Sequence, residues 1–254
     1  MKIALQPNKK IYFASDQHFG APTPEKSKPR EARFLAWLEE IKQDAQVLFL
    51  MGDLFDFWHE WKHVVPKGYV RILGKLAELK DSGIDIYFFV GNHDLWMKDY
   101  LEKEIGIPVF FEKQYFEIAG KQFLLAHGDG LGPGDKGYKR MKKLFTNPLA
   151  QWAFRWLHPD IAMKVAVYFS TKNKMISGAE DVKFLGEDKE FLILYSKDKL
   201  QSENIDYFVY GHRHLPMIID LEKGAKHINL GDWISYFTFG VFDGEEFKIE
   251  EYKK

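Results

Sequence analysis

Five short clusters in this sequence carry side chains able to hold a cation or move a proton. They are Ser15-Asp16-Gln17-His18, Gly52-Asp53, Gly91-Asn92-His93-Asp94, Ala126-His127-Gly128-Asp129 and Gly211-His212-Arg213-His214. An Asp or Asn after an apolar run ordinarily makes a turn or caps a helix. Here the combination recurs five times, and five of the nine histidines (His18, His93, His127, His212 and His214) lie in these clusters. Neighbouring glycines allow close backbone approach. His59, His63, His158 and His227 have no such setting and read as structural. With no cysteine in the chain, any metal must be held by His, Asp, Glu, Asn or backbone oxygen, a donor set suited to Mn2+, Fe2+ or Zn2+. Two ions roughly 3.5–4 Å apart need a bridging carboxylate, and Asp53 is the candidate. Such a pair activates water and clamps the oxygens of an in-line phosphoryl displacement.

The elements that must position these clusters follow from periodicity. Residues 11–15, 47–51 and 85–90 are apolar runs of strand length. Between them, 29–43 and 68–82 have helical spacing, the first through Phe34, Leu35, Leu38 and Ile41, the second through Ile72, Leu73, Leu76 and Leu79, with Gly83 as its stop. This βαβαβ pattern predicts a parallel sheet with right-handed crossovers. Ligands bind beyond the carboxyl ends of such strands, where the first three clusters fall. Residues 122–126 and 205–210 read as further strands. The stretch from His227 to Tyr252 reads as antiparallel strands, with Asp243-Gly244 as a hairpin turn.

From Gly132 to Gly178 the pattern is helical. Asn147 can cap a helix with Pro148 at its first position, His158-Pro159 interrupts it, and a second helix runs to about Lys174. The segment reads as a helical hairpin inserted into one α/β domain spanning 1–254. It opens with Lys136, Lys139, Arg140, Lys142 and Lys143. Its WAFRWL stretch (152–157) is apolar nearly all round, more than one core-facing stripe requires. Either both faces pack within the protein, or an apolar groove with a basic rim lies beside the clusters.

Composition narrows the classes. The chain has 254 residues, 46% of them hydrophobic and 29% charged, as globular proteins do. A net charge of −1 gives no basic field for nucleic acid, so no nucleic-acid partner is expected. The N-terminal MKIALQPNKKIYFASD has an apolar piece broken by Gln, Pro and Lys, unlike a signal peptide, and no apolar run spans a bilayer. A cytoplasmic location is expected.

The order D-x-H, G-D, G-N-H-D, H-G-D, G-H-x-H resembles that of the calcineurin-like metallophosphoesterases, with all five motifs intact between Asp16 and His214. The resemblance implies a four-layer αββα sandwich of two mixed sheets, with a dinuclear metal centre at the strand ends. Carried over motif by motif, Asp16, His18, Asp53 and His214 hold one ion. Asp53, Asn92, His127 and His212 hold the other, and Asn92 and His212 also face substrate. His93 acts as general acid or transition-state donor, oriented by Asp94. A narrower resemblance, to the UDP-2,3-diacylglucosamine hydrolases of lipid A synthesis, rests on GDLFDFW (52–58), HGDGLGPGDKGYK (127–139) and LGDW (230–233). It implies Mn2+ as the metal, with Fe2+ or Zn2+ as alternatives. It implies hydrolysis of a lipid-linked nucleotide sugar to UMP and 2,3-diacylglucosamine 1-phosphate. It also implies peripheral attachment to the anionic inner face of the cytoplasmic membrane, with residues 132–178 as a lid over acyl chains. Asp135 and Tyr138 match its fourth motif, while Ser170, Lys172 and Asn173 are candidate substrate contacts without a fixed-spacing motif. Many members of that narrower family have arginine where this chain has His93. The alternatives are the same chemistry on another phosphomonoester, phosphodiester or nucleotide and, more remotely, a non-catalytic scaffold.

Overall fold

The computed structural model describes residues 1–134, 136–166, 168 and 183–254. Two six-stranded sheets face each other. The first has the order β12 (Phe247–Glu251), β11 (Thr238–Phe242), β2 (Lys10–Ala14), β3 (Ala45–Leu50), β4 (Asp85–Phe89) and β5 (Val109–Phe110). Strands β2 to β5 are parallel, as the βαβαβ pattern requires, and β11 and β12 add an antiparallel edge. The second runs β1 (Lys2–Ile3), β6 (Gln114–Ile118), β7 (Lys121–Leu125), β8 (Tyr207–Tyr210), β10 (Lys226–Asn229) and β9 (Met217–Asp220). Its central β7, β8 and β10 are parallel. The C-terminal region is therefore not wholly antiparallel: β10 pairs parallel with β8 and antiparallel with β9.

Period-2 alternation builds the layers. In β2, Ile11 and Phe13 join the core between the sheets, while Tyr12 and Ala14 join the core under the helices. Phe13 stacks on Phe49 at 5.0 Å and faces Phe123 of the opposite sheet at 6.4 Å, and Phe49 meets Phe116 edge-on at 5.0 Å. Each fully buried Phe or Leu of this kind contributes roughly 1.5–3 kcal/mol of transfer free energy. Helices α1 (Pro24–Ile41) and α2 (Val70–Asp81) cover the first sheet through Phe34, Trp37, Leu38, Ile72, Leu76 and Leu79. On the second sheet, α6 (Phe191–Ser202) does the same through Leu192, Ile193 and Leu200. The result is the αββα sandwich.

One helix start differs from expectation. α1 begins at Thr23, whose side chain accepts from the Lys26 amide, with Pro24 at the first position and Pro29 inside the helix. Pro24 and Pro29, five residues apart, give the same signal, and the hydroxyl at Thr23 decides between them.

Between β7 and α6 lie α3 (Lys136–Phe145), α4 (Pro148–Arg155) and α5 (159–166). Asn147 caps α4 by accepting from the Leu149 and Ala150 amides at 2.9 and 3.2 Å. Among the described residues no helix is long and apolar enough to cross a membrane.

Candidate metal centre

The carboxyl ends of β2, β3 and β4 in one sheet and of β7 and β8 in the other bring all five clusters to one rim. Backbone bonds stitch the loops together. The Asp16 amide donates to Gly52 O (3.1 Å), the His18 amide to Asp53 O (2.9 Å) and the Gly211 amide to His127 O (2.9 Å). The two sheets meet where the His212 amide donates to Asp16 Oδ2 at 2.9 Å. Glycine is required here by space. A Cβ at Gly52 would lie 2.5 Å from His127 Nδ1, one at Gly91 would strike the Asp53 carboxylate, and one at Gly211 would strike the Ser15 hydroxyl.

The backbone is strained at the same place. Asp16, His18, Asp53, His212 and His214 all have positive φ, five of the nine non-glycine residues that do so among those described. Left-handed backbone costs on the order of 1–3 kcal/mol at each such residue and persists only where surroundings enforce it.

The side chains converge in two groups that share the Asp16–Asp53 pair. His18 Nε2 lies 3.7 Å from Asp16 Oδ1 and 3.5 Å from Asp53 Oδ2, and His214 Nε2 lies 3.4 Å from Asp16 Oδ1. On the other side His127 Nε2 lies 3.5 Å from Asp53 Oδ2. Asn92 Oδ1 stands 3.2 Å from His127 Nε2 and 2.9 Å from His212 Nδ1. Hydrogen bonds from elsewhere orient the rings. His127 Nδ1 is 2.8 Å from Met51 O. A carbonyl only accepts, so Nδ1 carries the proton and the Nε2 lone pair points to the cluster. His214 Nδ1 is likewise held by Asp232 Oδ2 at 3.1 Å.

Divalent ions fit this arrangement. Asp16 Oδ1 and both ring nitrogens of His18 are buried without a hydrogen-bond partner among the described residues. Orphaned buried polar atoms are costly and ask for an explanation. Separations of 3.4–3.7 Å between Nε2 and carboxylate atoms are too long for hydrogen bonds. They suit two ligands that each lie about 2.1 Å from one cation. Asp16, His18 and His214 form one compact donor set, and Asp16, Asp53 and His127 another.

Electrostatics without a cation show how the carboxylates and histidines depend on each other. Burial alone would raise Asp53, but His127, His93 and His18 outweigh it and hold its carboxyl well below the usual range. Burial likewise opposes the lowering of Asp16, which His214 and His18 bring about. For His127, burial is overcome by Asp53 and Asp16, and the imidazole is pushed up to about 10. His212 goes the other way, to about 4, through burial and the nearby His127.

One role differs from the sequence expectation. Asp94 was expected to orient His93, yet its oxygens accept from the Gly91 and Leu54 amides, at 2.5 and 3.1 Å, so it holds the loop. Its carboxyl is raised to about 8, by burial first and Asp53 second. The residue against the His93 imidazole is Asp56, whose carbonyl is 2.9 Å and whose carboxylate is 3.5 Å from Nδ1. Asp56 also faces His18 Nδ1 at 3.5 Å. It lies inside the GDLFDFW stretch, where no motif position marks it. Asp232 of LGDW is a similar case. One carboxylate oxygen caps the Ile234, Ser235 and Tyr236 amides and the other holds His214. Arg213 forms a buried two-point pair with Glu190, at 2.9 and 3.0 Å, which fixes the His212–His214 loop to the start of α6.

Tyr138 reaches the rim by donating to Asp129 Oδ2 at 2.5 Å, beside Lys142 Nζ at 2.6 Å on the same oxygen. Asp135, Ser170, Lys172 and Asn173 lie outside the described residues. His59, read as structural, is fully buried with its ring 4.4 Å from Trp61, 5.2 Å from Trp96 and 5.1 Å from Phe154.

Residues 9–216 match the family model described as calcineurin-like phosphoesterase. Among curated relatives, a protein named UDP-2,3-diacylglucosamine hydrolase from Porphyromonas gingivalis is 39% identical, over 95% of this chain and 97% of its own. Proteins of the same name from Edwardsiella ictaluri (28% identical, 94% and 90% covered) and Yersinia pestis (26% identical, 87% and 90% covered) are also similar. The motif order, the sandwich and this match agree, and the chain belongs to the calcineurin-like phosphoesterase family, whose members hydrolyse phosphoric esters with divalent metal ions.

Proposed function

We propose that this enzyme hydrolyses the pyrophosphate of UDP-2,3-diacylglucosamine, giving UMP and 2,3-diacylglucosamine 1-phosphate, with two Mn2+ ions. The observation that carries the reaction class is the meeting of two compact donor sets, Asp16–His18–His214 and Asp16–Asp53–His127, at the buried Asp16. The substrate reading rests on the near-full-length likeness to relatives of that name. In this reading Asp16, His18, Asp53 and His214 hold one ion, Asp53, Asn92, His127 and His212 hold the second, and Asp53 belongs to both. When bound, such ions supply positive charge to the phosphoryl oxygens and acidify water.

The chain's own groups do the rest. His93 sits on the rim with its amide fixed by Asp53 Oδ1 at 2.8 Å. Its Nδ1 donates to the Asp56 carbonyl, so Nε2 donates to substrate only as the imidazolium. A proton delivered there stabilises charge developing on a phosphoryl or leaving oxygen. Tyr138 and Asn92 orient the phosphates. Asp135, Ser170, Lys172 and Asn173 are further substrate contacts in the same proposal.

Residues 132–178 act as a lid within one 1–254 domain. Leu149, Trp152 and Trp156 are 75%, 61% and 76% exposed, beside Lys143 and Arg155. Apolar surface of this kind suits acyl chains and a peripheral seat on an anionic membrane at the cytoplasmic face. The test is incubation of purified protein with UDP-2,3-diacylglucosamine and Mn2+, products read by mass spectrometry. UMP release supports the proposal. A protein that cleaves a water-soluble phosphodiester yet releases no UMP refutes the lipid substrate and keeps the reaction class.

A further inference from the structure

The loop that presents Asn92 and His93 does not end at Asp94. Two residues on, Trp96 turns away from the rim and is almost fully buried. Its indole Nε1 donates to the carbonyl of Phe145 at 2.6 Å. Phe145 is the last residue of α3, where helix geometry leaves carbonyls without an internal partner. Gln151 of α4 donates to the same carbonyl at 3.1 Å. The Trp96 ring lies 4.3 Å from Phe154 of α4 and 5.2 Å from His59. One side chain of the His93 loop thus holds the end of α3 by a hydrogen bond and the last turn of α4 by ring contact.

We infer that Trp96 is a positioning residue that seats α3 and α4 against the His93 loop and thereby sets the enzyme's preference for long lipid substrates over small esters. The reasoning is mechanical. α4 carries the exposed Leu149 and Trp152, with Trp156 at its end, and α3 carries Tyr138, so apolar and polar ends of one substrate would engage the same segment. A ligand spanning both needs the segment held in register with the rim, whereas a small diester at the rim does not. Neither Asn92 nor His93 makes the bond to Phe145, so loss of the seat need not disturb the metal centre.

This inference rests on the lipid reading above for its kinetic half only. The variant Trp96→Phe keeps an aromatic ring and removes the N–H. Hydrogen–deuterium exchange and steady-state kinetics are measured on metal-loaded wild type and variant, with UDP-2,3-diacylglucosamine in mixed micelles and with bis(p-nitrophenyl) phosphate. The expected result is faster exchange in 141–155, a KM for the lipid raised by roughly five- to tenfold as for loss of one hydrogen bond, and kcat on the small diester within about twofold. Unchanged exchange in 141–155 overturns the inference, as does an equal loss on both substrates. If the wild type cleaves the diester but not the lipid, the substrate reading fails, and exchange alone then decides whether Trp96 seats the helices.

Discussion

The rim and the α3–α5 segment invert the usual distribution of polarity in opposite ways. At the rim, Asp16, His18, Asp53 and Asp94 are all but completely buried, each with charge or polar atoms that water cannot reach. In α3–α5, Leu144, Leu149, Trp152, Trp156 and Ile161 are mostly exposed. Buried charge and exposed apolar surface both carry a free-energy cost that something must offset. At the rim the offset is a cation, since carboxylates and imidazoles already surround its place. On the helices the proposed function assigns that role to an apolar ligand or surface. The rim is over-determined by backbone bonds, glycines without room for a Cβ and oriented rings, while the described part of the segment meets the rest through side chains, among them Trp96, Phe57, His59, Asp129 and His212.

The largest way to break this comparison is at Asp53. In the proposed assignment Asp53 belongs to both ions, and Asp53→Asn removes that carboxylate. Turnover of any phosphoester is expected to fall by on the order of a thousandfold or more. Metal per protein, read by atomic emission, falls with it. Retention of both metal and activity would show that the two sets do not depend on Asp53.

Next comes His93. His93→Ala should keep its metal content and lose about 10²–10³-fold in kcat on lipid and small ester alike. Full activity would remove the imidazole from the mechanism. Asp56→Asn weakens the same ring and also the hold on His18, so it is expected to lower metal affinity or activity by about 10–100-fold. A His93 effect without any Asp56 effect would mean that the Asp56 carbonyl alone sets the ring.

Smaller still is the segment. Trp152→Ser with Trp156→Ser should leave the melting temperature and the small-diester rate nearly unchanged, since exposed substitutions stay within about 0.5 kcal/mol. It should raise the KM for the lipid. Loss of stability would show that these rings pack on something and would erase the contrast with the rim.

These two regions were unequally legible in the sequence. Asp16, His18, Asp53, Asn92, His127, His212 and His214 could be picked out because each follows an apolar run whose period already fixes a strand end. The same logic gave β2, β3 and β4 within about two residues. Asp56 and Asp232 could not be assigned, because a carboxylate that orients a ring has no spacing rule of its own and depends on which loops the fold brings together. The direction of β10 failed for a related reason: pairing with β8 or with β9 is a matter of topology, and an apolar strand reads the same either way. In α3–α5 the caps at Asn147 and Pro148 were plain, but which face of WAFRWL packs was not. Phe154 is the ring that docks on Trp96, and Trp152 and Trp156 remain outside.

Where one region ends and the other begins is tested at His59, by an effect confined to acid pH. This imidazole lies beneath α4 with its pKa lowered to about 4, by burial first and then by Lys98 and Arg155. Its ordinary value is 6.5. Because the folded value is the lower one, the unfolded chain takes up a proton first as pH falls. The stability held by neutral His59 is therefore complete above pH 6.5 and is lost as pH drops from 6.5 towards 4, by on the order of 2 kcal/mol. His227, lowered to about 3 by burial, acts in the same sense from the far side of the second sheet. His59→Phe keeps the ring and removes the proton site, so its melting temperature should fall less steeply than wild type across that window, while the His227 contribution remains. Hydrogen exchange at pH 5 should show the wild-type loosening in α4 and not in β2 or β3. Parallel melting curves would place His59 outside the acid response, and loosening that spreads into the strands would make the aromatic seat part of the rigid rim rather than the hinge of a separate layer.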